Sequence, residues 1–551
     1  MRMRFPFILA LVCGGLLSAC GGGSSSSSTS SAATTPSEPT LGPPSSTLVR
    51  VSQASPYAAD CGGGAGDSGA TSYEDAEVEP YLAINPLNPS NLVGAWQQDR
   101  WSDGGAHGLV AGSSMDGGKT WKEHTLPLSV CAGGTSANGG NYGRASDPWV
   151  SFSPDGTVYV ISISFTGNTL QAGSNGGVLV SRSTDGGVSW SDAATLIHDG
   201  SSAFNDKETV TADPTDSHFV YAVWDRLTLS NHGAAMFART TDGGSTWEPA
   251  TAIYDPGVNN QTLGNEIVVA SDGTLLDLFE EIDDTSSAAA TADIRLISSK
   301  DHGASWSAPI TVAANLAVGA ADPNTGNLIR SGAGLPQMAA GPGGMLAVVW
   351  EDGRFSDGDH DGIAYASSRD DGAHWTKPAE INSVRGVPAF TPSVAILGDG
   401  TVGVSYFDFR DHTTGPTLPT DYWFISSEDG SHWSEQHITG PFDLAIAPDA
   451  EGLFIGDYEA LGKVGSMFVP FFVQTNDAGT DNRTDSYYLP PQPKPLMVVH
   501  KATHLALTAE TLTPGAGFRH RVHENIMRVL RDEDPVWDSI RAARQKRPQP
   551  P

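Results

Sequence analysis

Positive charge is scarce in this chain. Lys and Arg number 31 against 63 Asp and Glu, a formal net charge of −32 over 551 residues. A surface of that sign repels polyphosphate, which excludes nucleic acid as a partner, and it gathers no ligand by long-range attraction unless the ligand is cationic. Long apolar runs are missing as well: beyond the extreme N-terminus no stretch reaches the ~18 uninterrupted apolar residues that a membrane helix needs. The fifteen His are scattered without zinc-type spacing. Neither a Gly-x-Ser-x-Gly nucleophile turn nor a phosphate-cradling glycine loop occurs. Cysteine is rare, four in all. With 39% apolar residues and abundant Gly, Ser and Thr, the composition suits a turn-rich all-β protein.

The N-terminus reads as a targeting segment. Arg2 and Arg4 precede the apolar run Phe5 to Val12, and Leu17-Ser18-Ala19-Cys20 follows. These last four residues resemble a bacterial lipobox. Residues 1–19 are therefore expected to be a lipoprotein signal peptide, with Cys20 as the lipidated first residue of the mature chain. Gly21 after the cysteine resembles the sorting pattern of outer-membrane lipoproteins. The Gly/Ser/Thr/Pro-rich run over residues 20–46 then serves as a tether. The expected location is the cell envelope, with membrane contact only through lipid at Cys20. Cys13 leaves with the signal, so Cys61 and Cys131 remain, an even pair in an oxidising compartment for which a disulfide is expected over two buried thiols.

A short phrase returns six times: a hydroxyl residue, Asp, Gly, then Trp. It reads Ser114-Met-Asp116-Gly-Gly-Lys-Thr-Trp121 and recurs around Asp185, Asp242, Asp301, Asp370 and Asp429, the last copy one residue short. Each copy predicts an Asx-type turn with Gly at positive φ and Trp packed on the sheet below. The Asp residues stand 57 to 69 positions apart, and one grammar fills each interval. An apolar strand, a turn, a second and more apolar strand, a variable loop, a third strand, the box and a fourth strand follow in order. This is how a β-propeller blade reads. Pairs of first and second strands begin near Pro80, Pro148, Lys207, Glu266, Pro336, Pro392 and Asp457, which predicts seven blades; six blades and a partial unit is the alternative. The orphan run Thr47 to Ser52 is expected to close the last blade, so that no sheet edge stays open. The propeller is thus assigned to residues 47–490. Residues 491–551 form a tail, helical where Phe518, Val522, Ile526 and Leu530 recur at helical spacing, with a second short helix over Val536 to Arg544.

Across Tyr81 to Trp433 the boxes resemble those of sialidases and related BNR-repeat proteins. The resemblance implies that the boxes sit on the outer rim between third and fourth strands and carry no chemistry. Chemistry belongs to the opposite face, where first strands start and second strands end. There the segment from Gly264 to Leu276 is similar to the family strand whose Glu activates the nucleophile, here Glu266. Gly456-Asp457-Tyr458-Glu459-Ala-Leu461 is similar to the segment bearing the nucleophilic Tyr, here Tyr458. Asp103 is the acid/base candidate. Arg100, Asp225, Arg226, Arg354, Arg410 and Asp457 are the substrate-binding candidates, although Asp-Arg pairs can equally lock neighbouring blades. The chain departs from the family in its arginines. Glu79-Pro80-Tyr81-Leu82 stands where the first carboxylate-gripping Arg belongs, and Phe279-Glu280-Glu281 where the second does. Terminal sialic acid is therefore disfavoured as substrate.

Asp357-Gly-Asp359-His-Asp361-Gly362 places oxygen donors at alternate positions and resembles the first half of a calcium loop, with an acidic surface turn as the alternative. No cofactor is required by any motif; structural Ca²⁺ at Asp357, Asp359 and Asp361 is the one candidate. Two functions follow. One is a sialidase-like glycoside hydrolase acting on an extracellular glycan. The other is a non-catalytic propeller that binds a glycan or a surface protein at the channel mouth. A monomer is expected in either case.

Overall fold

The computed structural model describes residues 48–61, 69–168, 170–228, 233–284, 290–476, 481–491, 503–505, 507–508 and 514–533. The expected signal segment, the expected tether over residues 20–46 with Cys20, and the expected helix over Val536 to Arg544 lie outside these residues. Contacts divide the chain into Met1–Glu38 and Pro39–Pro551. Everything described belongs to the second unit, and among the described residues no helix is long and apolar enough to cross a membrane.

That unit is mostly β, with strands arranged in successive antiparallel meanders. The first strands of the meanders are Ser72–Ile84, Arg144–Phe152, Ala203–Ala212, Asn260–Val269, Gln337–Ala340, Ala389–Ile396 and Ala460–Val464. Each touches the first strand of the following meander, and the last returns to touch Ser72–Ile84. The arrangement is consistent with a β-propeller. Local chemistry sets the strand turns. In the second meander the Ser153 amide donates to Thr157 O at 2.8 Å and the Thr157 amide to Asp155 Oδ1 at 2.9 Å, while Gly156 sits at φ 89°. Facing sheets bury their apolar sides against each other. Tyr159, Ile161 and Val178 of the second meander, for example, share one cluster with Val210, Ala222 and Trp224 of the third.

Val49–Arg50 lies antiparallel to Thr484–Tyr488, so a strand from before the first meander completes the last one. Cys61 and Cys131 are joined by a disulfide across 70 positions, which ties the N-terminal segment to the first meander. Farther on, Thr503–Leu505 pairs with the outer strand His432–Asp443, and Leu507–Thr508 with Ala379–Glu380. The helix Ala516–Glu533 packs Phe518, Val522 and Ile526 against Leu227, Leu263 and Ile282. It thereby covers loops on the face where second strands end.

In the first box Asp116 Oδ1 accepts from the Lys119 and Thr120 amides at 3.0 Å each, and its Oδ2 accepts from the Thr120 hydroxyl at 2.7 Å. Ser114 Oγ donates to the same carboxylate and accepts from the Gly118 amide. The same pattern recurs in the other copies, with His374 and His432 replacing the hydroxyl at the second oxygen in two of them. These bonds hold Asp116, Asp185, Asp242, Asp301 and Asp370 down at about 2. Each box also presses on the preceding meander. A methyl on Gly118 would meet the Tyr488 ring, and one on Gly303 the Phe237 ring. Trp306 stands edge-on to Phe237 with ring centres 5.5 Å apart, and Trp433 to Tyr365 at 5.2 Å. The boxes thus join neighbouring sheets as well as turning the chain.

This contact can be isolated with two alanines. Gly117 and Gly303 both have positive φ, but a methyl on Gly117 would have nothing within 4 Å. Gly117→Ala should cost only the left-handed strain, about 1–2 kcal/mol. Gly303→Ala should cost clearly more, read as a larger fall in urea midpoint.

Candidate active site

Five of the first strands break register: between Val78 and Tyr81, Ser146 and Trp149, Asp206 and Thr209, Leu263 and Glu266, and Phe390 and Ser393. Each break holds a residue at positive φ: Glu79 (54°), Asp147 (55°), Lys207 (49°), Gly264 (67°) and Thr391 (48°). For Glu, Asp, Lys and Thr this backbone costs about 1–3 kcal/mol apiece. In three of the five, proline follows (Pro80, Pro148, Pro392), as a bulge permits because no ladder N–H is needed there. Bulges re-aim side chains, and three of these bring Glu79, Asp147 and Lys207 together.

The ammonium of Lys207 is the focus of that gathering. It lies 2.9 Å from Asp457 Oδ2, 3.2 Å from Asp147 Oδ2 and 3.7 Å from Glu79 Oε1. Arg330 reaches Asp457 from the other side, its terminal nitrogen 3.0 Å from Oδ2. Arg330 and Arg100 both stack on Phe454, at 4.5 and 4.9 Å from the ring centre. Arg100 donates to Gln97 Oε1 at 2.8 Å, and Gln97 in turn donates to Glu79. All these charged groups are buried. Burial raises the Asp147 and Asp457 carboxyls, but Lys207 with Arg100 for Asp147, and Arg330 with Lys207 for Asp457, outweigh it. Both stay below the ordinary carboxylate range. Glu79 goes the other way: burial, then Asp147, hold it well above that range. Two ionised carboxylates and one protonated one therefore surround one ammonium.

Beside this cluster lies a small cavity of about 30 Å³, lined among others by Asp147, Trp149, Glu208, Asn265, Glu266 and Tyr458. Trp149 stacks on Tyr81 at 3.5 Å and stands edge-on to Tyr458 at 5.4 Å. Glu266 accepts the Met338 amide at 3.1 Å, and burial pushes its carboxyl up to about 8. Burial, followed by Glu79 and Asp147, raises the Tyr458 phenol well above its usual range. Its hydroxyl donates to the Pro148 carbonyl at 3.2 Å, not to Glu266. Tyr458 and Glu266 thus share a cavity without sharing a proton.

Several candidates fall elsewhere. Asp103 pairs with Arg144 at 2.6 Å and does not line the cavity. Asp225 accepts from the Gly264 amide at 2.7 Å, from Thr262 and from Asn265, and so fixes the bulge preceding Glu266. Arg226 is bound to Asp199 of the preceding meander. Arg354 grips Asp352 and the Ala314 carbonyl. Arg410 spans Asp408 and Glu435 above the Trp423 ring. None of these three arginines lines the cavity; each is engaged by other groups of the same chain. The calcium expectation finds no support. The Asp361 carboxylate is taken by the Val318 and Gly319 amides, and Asp359 is exposed beside His360. Among the described residues no group of three or more His, Cys, Asp or Glu could hold a metal ion. Nothing in the sequence marks Trp149 or Asn265, and Lys207 stands out there only as a strand start. Proline after an acidic residue at a strand start was the available signal for two of the bulges.

No family model matches the chain. Among solved structures it is similar to the α-L-arabinanase of Penicillium chrysogenum (12% identity, 82% of this chain and 99% of that one, TM-score 0.43). It is also similar to a Hadza microbial sialidase (16%, 73% of each, 0.41) and to an α-L-arabinofuranosidase of Fusarium graminearum (13%, 76% and 94%, 0.40). Likeness at this level carries no argument about chemistry.

The buried acids make a pH prediction. Glu266 and Glu280 are raised to about 8 and Glu351 to about 7, in each case chiefly by burial. Between the unfolded carboxylate value near 4.5 and these values the native state holds protons that the unfolded chain has released, so stability falls as pH rises through that window. The box aspartates act oppositely, losing their contribution only below pH about 4. Melting temperature should therefore peak near pH 4–5 and decline toward pH 8, and Glu351→Gln should flatten the decline.

Proposed function

We propose that the chain is a cell-envelope glycoside hydrolase built on a seven-bladed propeller, tethered by lipid at Cys20 and acting on an extracellular glycan from the central cavity. Each of the seven meanders is read as one blade, with Val49–Arg50 as the last blade's outer strand. The observation that carries the catalytic reading is that Asp147 and Glu266 line one cavity while their surroundings push their proton affinities apart. Such divergence is what separates an acid from a base at neutral pH. Glu266, still protonated at pH 7, is suited to give a proton to the glycosidic oxygen. Asp147, held ionised by Lys207, is suited to face the anomeric carbon or to activate water. Tyr458 then serves as wall rather than nucleophile, because its phenol is bound to Pro148 and resists ionisation. This assignment replaces Asp103, which is spent on Arg144.

The non-catalytic reading has its own support: Lys207 already engages Asp147, and the central charged groups are less than a tenth exposed. Phenyl glycosides separate the two, since their leaving group needs a proton. Glu266→Gln should lower kcat by about 10²–10⁴, Asp147→Asn should abolish turnover, and Tyr458→Phe should change it little. Wild-type activity should fall as pH rises past about 8. Absence of turnover by the wild type across neutral, amino and acidic glycosides would favour the binding propeller. Turnover indifferent to both carboxyl substitutions would remove the assignment.

A further inference from the structure

Resting on the hydrolase reading above, we infer that the centre is held closed by a cover of two layers, residues 316–336 beneath the helix Ala516–Glu533, and that release of the helix opens it. The cavity beside Glu266 and Tyr458 measures about 30 Å³, room for a water or two and for no sugar ring. Leu335 and Pro336 form part of its wall. They end the connection between Ile310–Asn315 and Gln337–Ala340, which holds no strand beyond one isolated bridge from Ala321 to Leu328. Residues 323–328 are exposed, as connections ordinarily are, whereas residues 329–334 are buried.

Irregular backbone is rarely buried, because each of its polar groups must find a partner singly. Here the partners belong to the centre and its surroundings. The Arg330 amide donates to Leu453 O at 3.2 Å, while the Arg330 guanidinium holds Asp457 and lies over Phe454. Ser331 Oγ donates to Glu351 Oε2 at 3.0 Å, and the Ala333 carbonyl accepts from Asn315 Nδ2 at 3.2 Å. The fit is close: a methyl on Gly332 would meet the Asp457 carbonyl, and one on Gly264, in the bulge before Glu266, would meet Leu335. The helix presses on both ends of this connection. Asn525 Nδ2 donates to Ala317 O at 3.3 Å, and Val529 stands where a methyl on Gly334 would reach. Side chains hold the helix in turn: its apolar face, Arg521 on the Gly358 carbonyl at 2.5 Å, and His523 Nδ1, which accepts the Ala290 amide at 3.0 Å. An element docked in this way opens at less cost than a strand leaves its sheet. Its departure uncovers Gly334 and Leu335. Residues 329–336 then lift from the wall beside Glu266, the motion by which lids admit substrate.

Cysteine labelling of the full chain tests the cover without a substrate. Gln337→Cys places a thiol in the cavity wall, and Ala222→Cys places one in the core between the second and third meanders. Peptide mass spectrometry reads each introduced thiol by itself. Val522→Asp with Ile526→Asp, which puts charge on the apolar face of the helix, should speed maleimide labelling at position 337 about tenfold or more and leave position 222 protected. Faster hydrogen exchange over residues 516–530 reports that the helix has released. Position 337 still protected with the helix released makes the connection a fixed plug and overturns the inference. Labelling at position 337 already as fast with the helix docked overturns it too. If the paired substitution unfolds the chain, native-state exchange of the wild type decides. Residues 329–336 and 516–530 should exchange together, about tenfold or more faster than Val158–Thr166, and exchange as slow as that strand's overturns the inference. The released chain should also gain several-fold in kcat/KM on a phenyl glycoside. A chain that opens and turns over no glycoside keeps the cover and loses the hydrolase reading; turnover unchanged by opening overturns the inference alone.

Discussion

One buried ammonium holds the centre of this molecule together. Lys207 draws in carboxyls from the first strand region of the first, second and last meanders, residues 79, 147 and 457, from opposite ends of the chain. Desolvating those groups is costly, and the arrangement is stable only because each ionised carboxylate finds a cation and Glu79 stays protonated. The left-handed backbone at Glu79, Asp147 and Lys207 is the second cost, met so that side chains which would lie along the strand point at one another. Remove the ammonium and Asp147 and Asp457 lose a shared counter-charge inside the fold.

The rim and the centre solve different problems. At the rim, the boxes satisfy their own backbone amides with an Asp carboxylate and press Gly and Trp onto the preceding sheet, so neighbours are fastened with little buried charge. On the opposite face, arginines such as Arg226, paired with Asp199, and Arg354, on the Ala314 carbonyl, do the fastening. The central cavity is what remains between these two systems. Its wall combines an ionised Asp147, a protonated Glu266 and an aromatic surface, a mixture that neither fastening needs.

The boxes were legible because every partner in them lies within seven residues, and the strand grammar was legible because apolar alternation and Gly-rich turns are local. The bulges were not. Positive φ at Glu79, Asp147 and Lys207 leaves no mark in residue type, apart from the proline that follows two of them. The Lys207–Asp457 contact spans 250 positions, and no spacing rule reaches that far. The Asp-Arg dipeptides at second-strand ends could be read either as a charged mouth or as locks, since sequence does not say which way a side chain turns. Resemblance pointed to Tyr458 and Glu266 as a nucleophile and its activator, and both line one cavity. It could not tell that the phenol would choose the Pro148 carbonyl over the carboxyl.

The dependence of the fold on Lys207 is the point on which the account stands. Equilibrium unfolding of Lys207→Met, alone and combined with Asp147→Asn, measures it directly. Loss of about 3–5 kcal/mol in the single variant, with a substantial part regained in the double, is the expected result, because the second change removes a carboxylate left without its counter-charge. A single variant as stable as the wild type to within about 1 kcal/mol would contradict it.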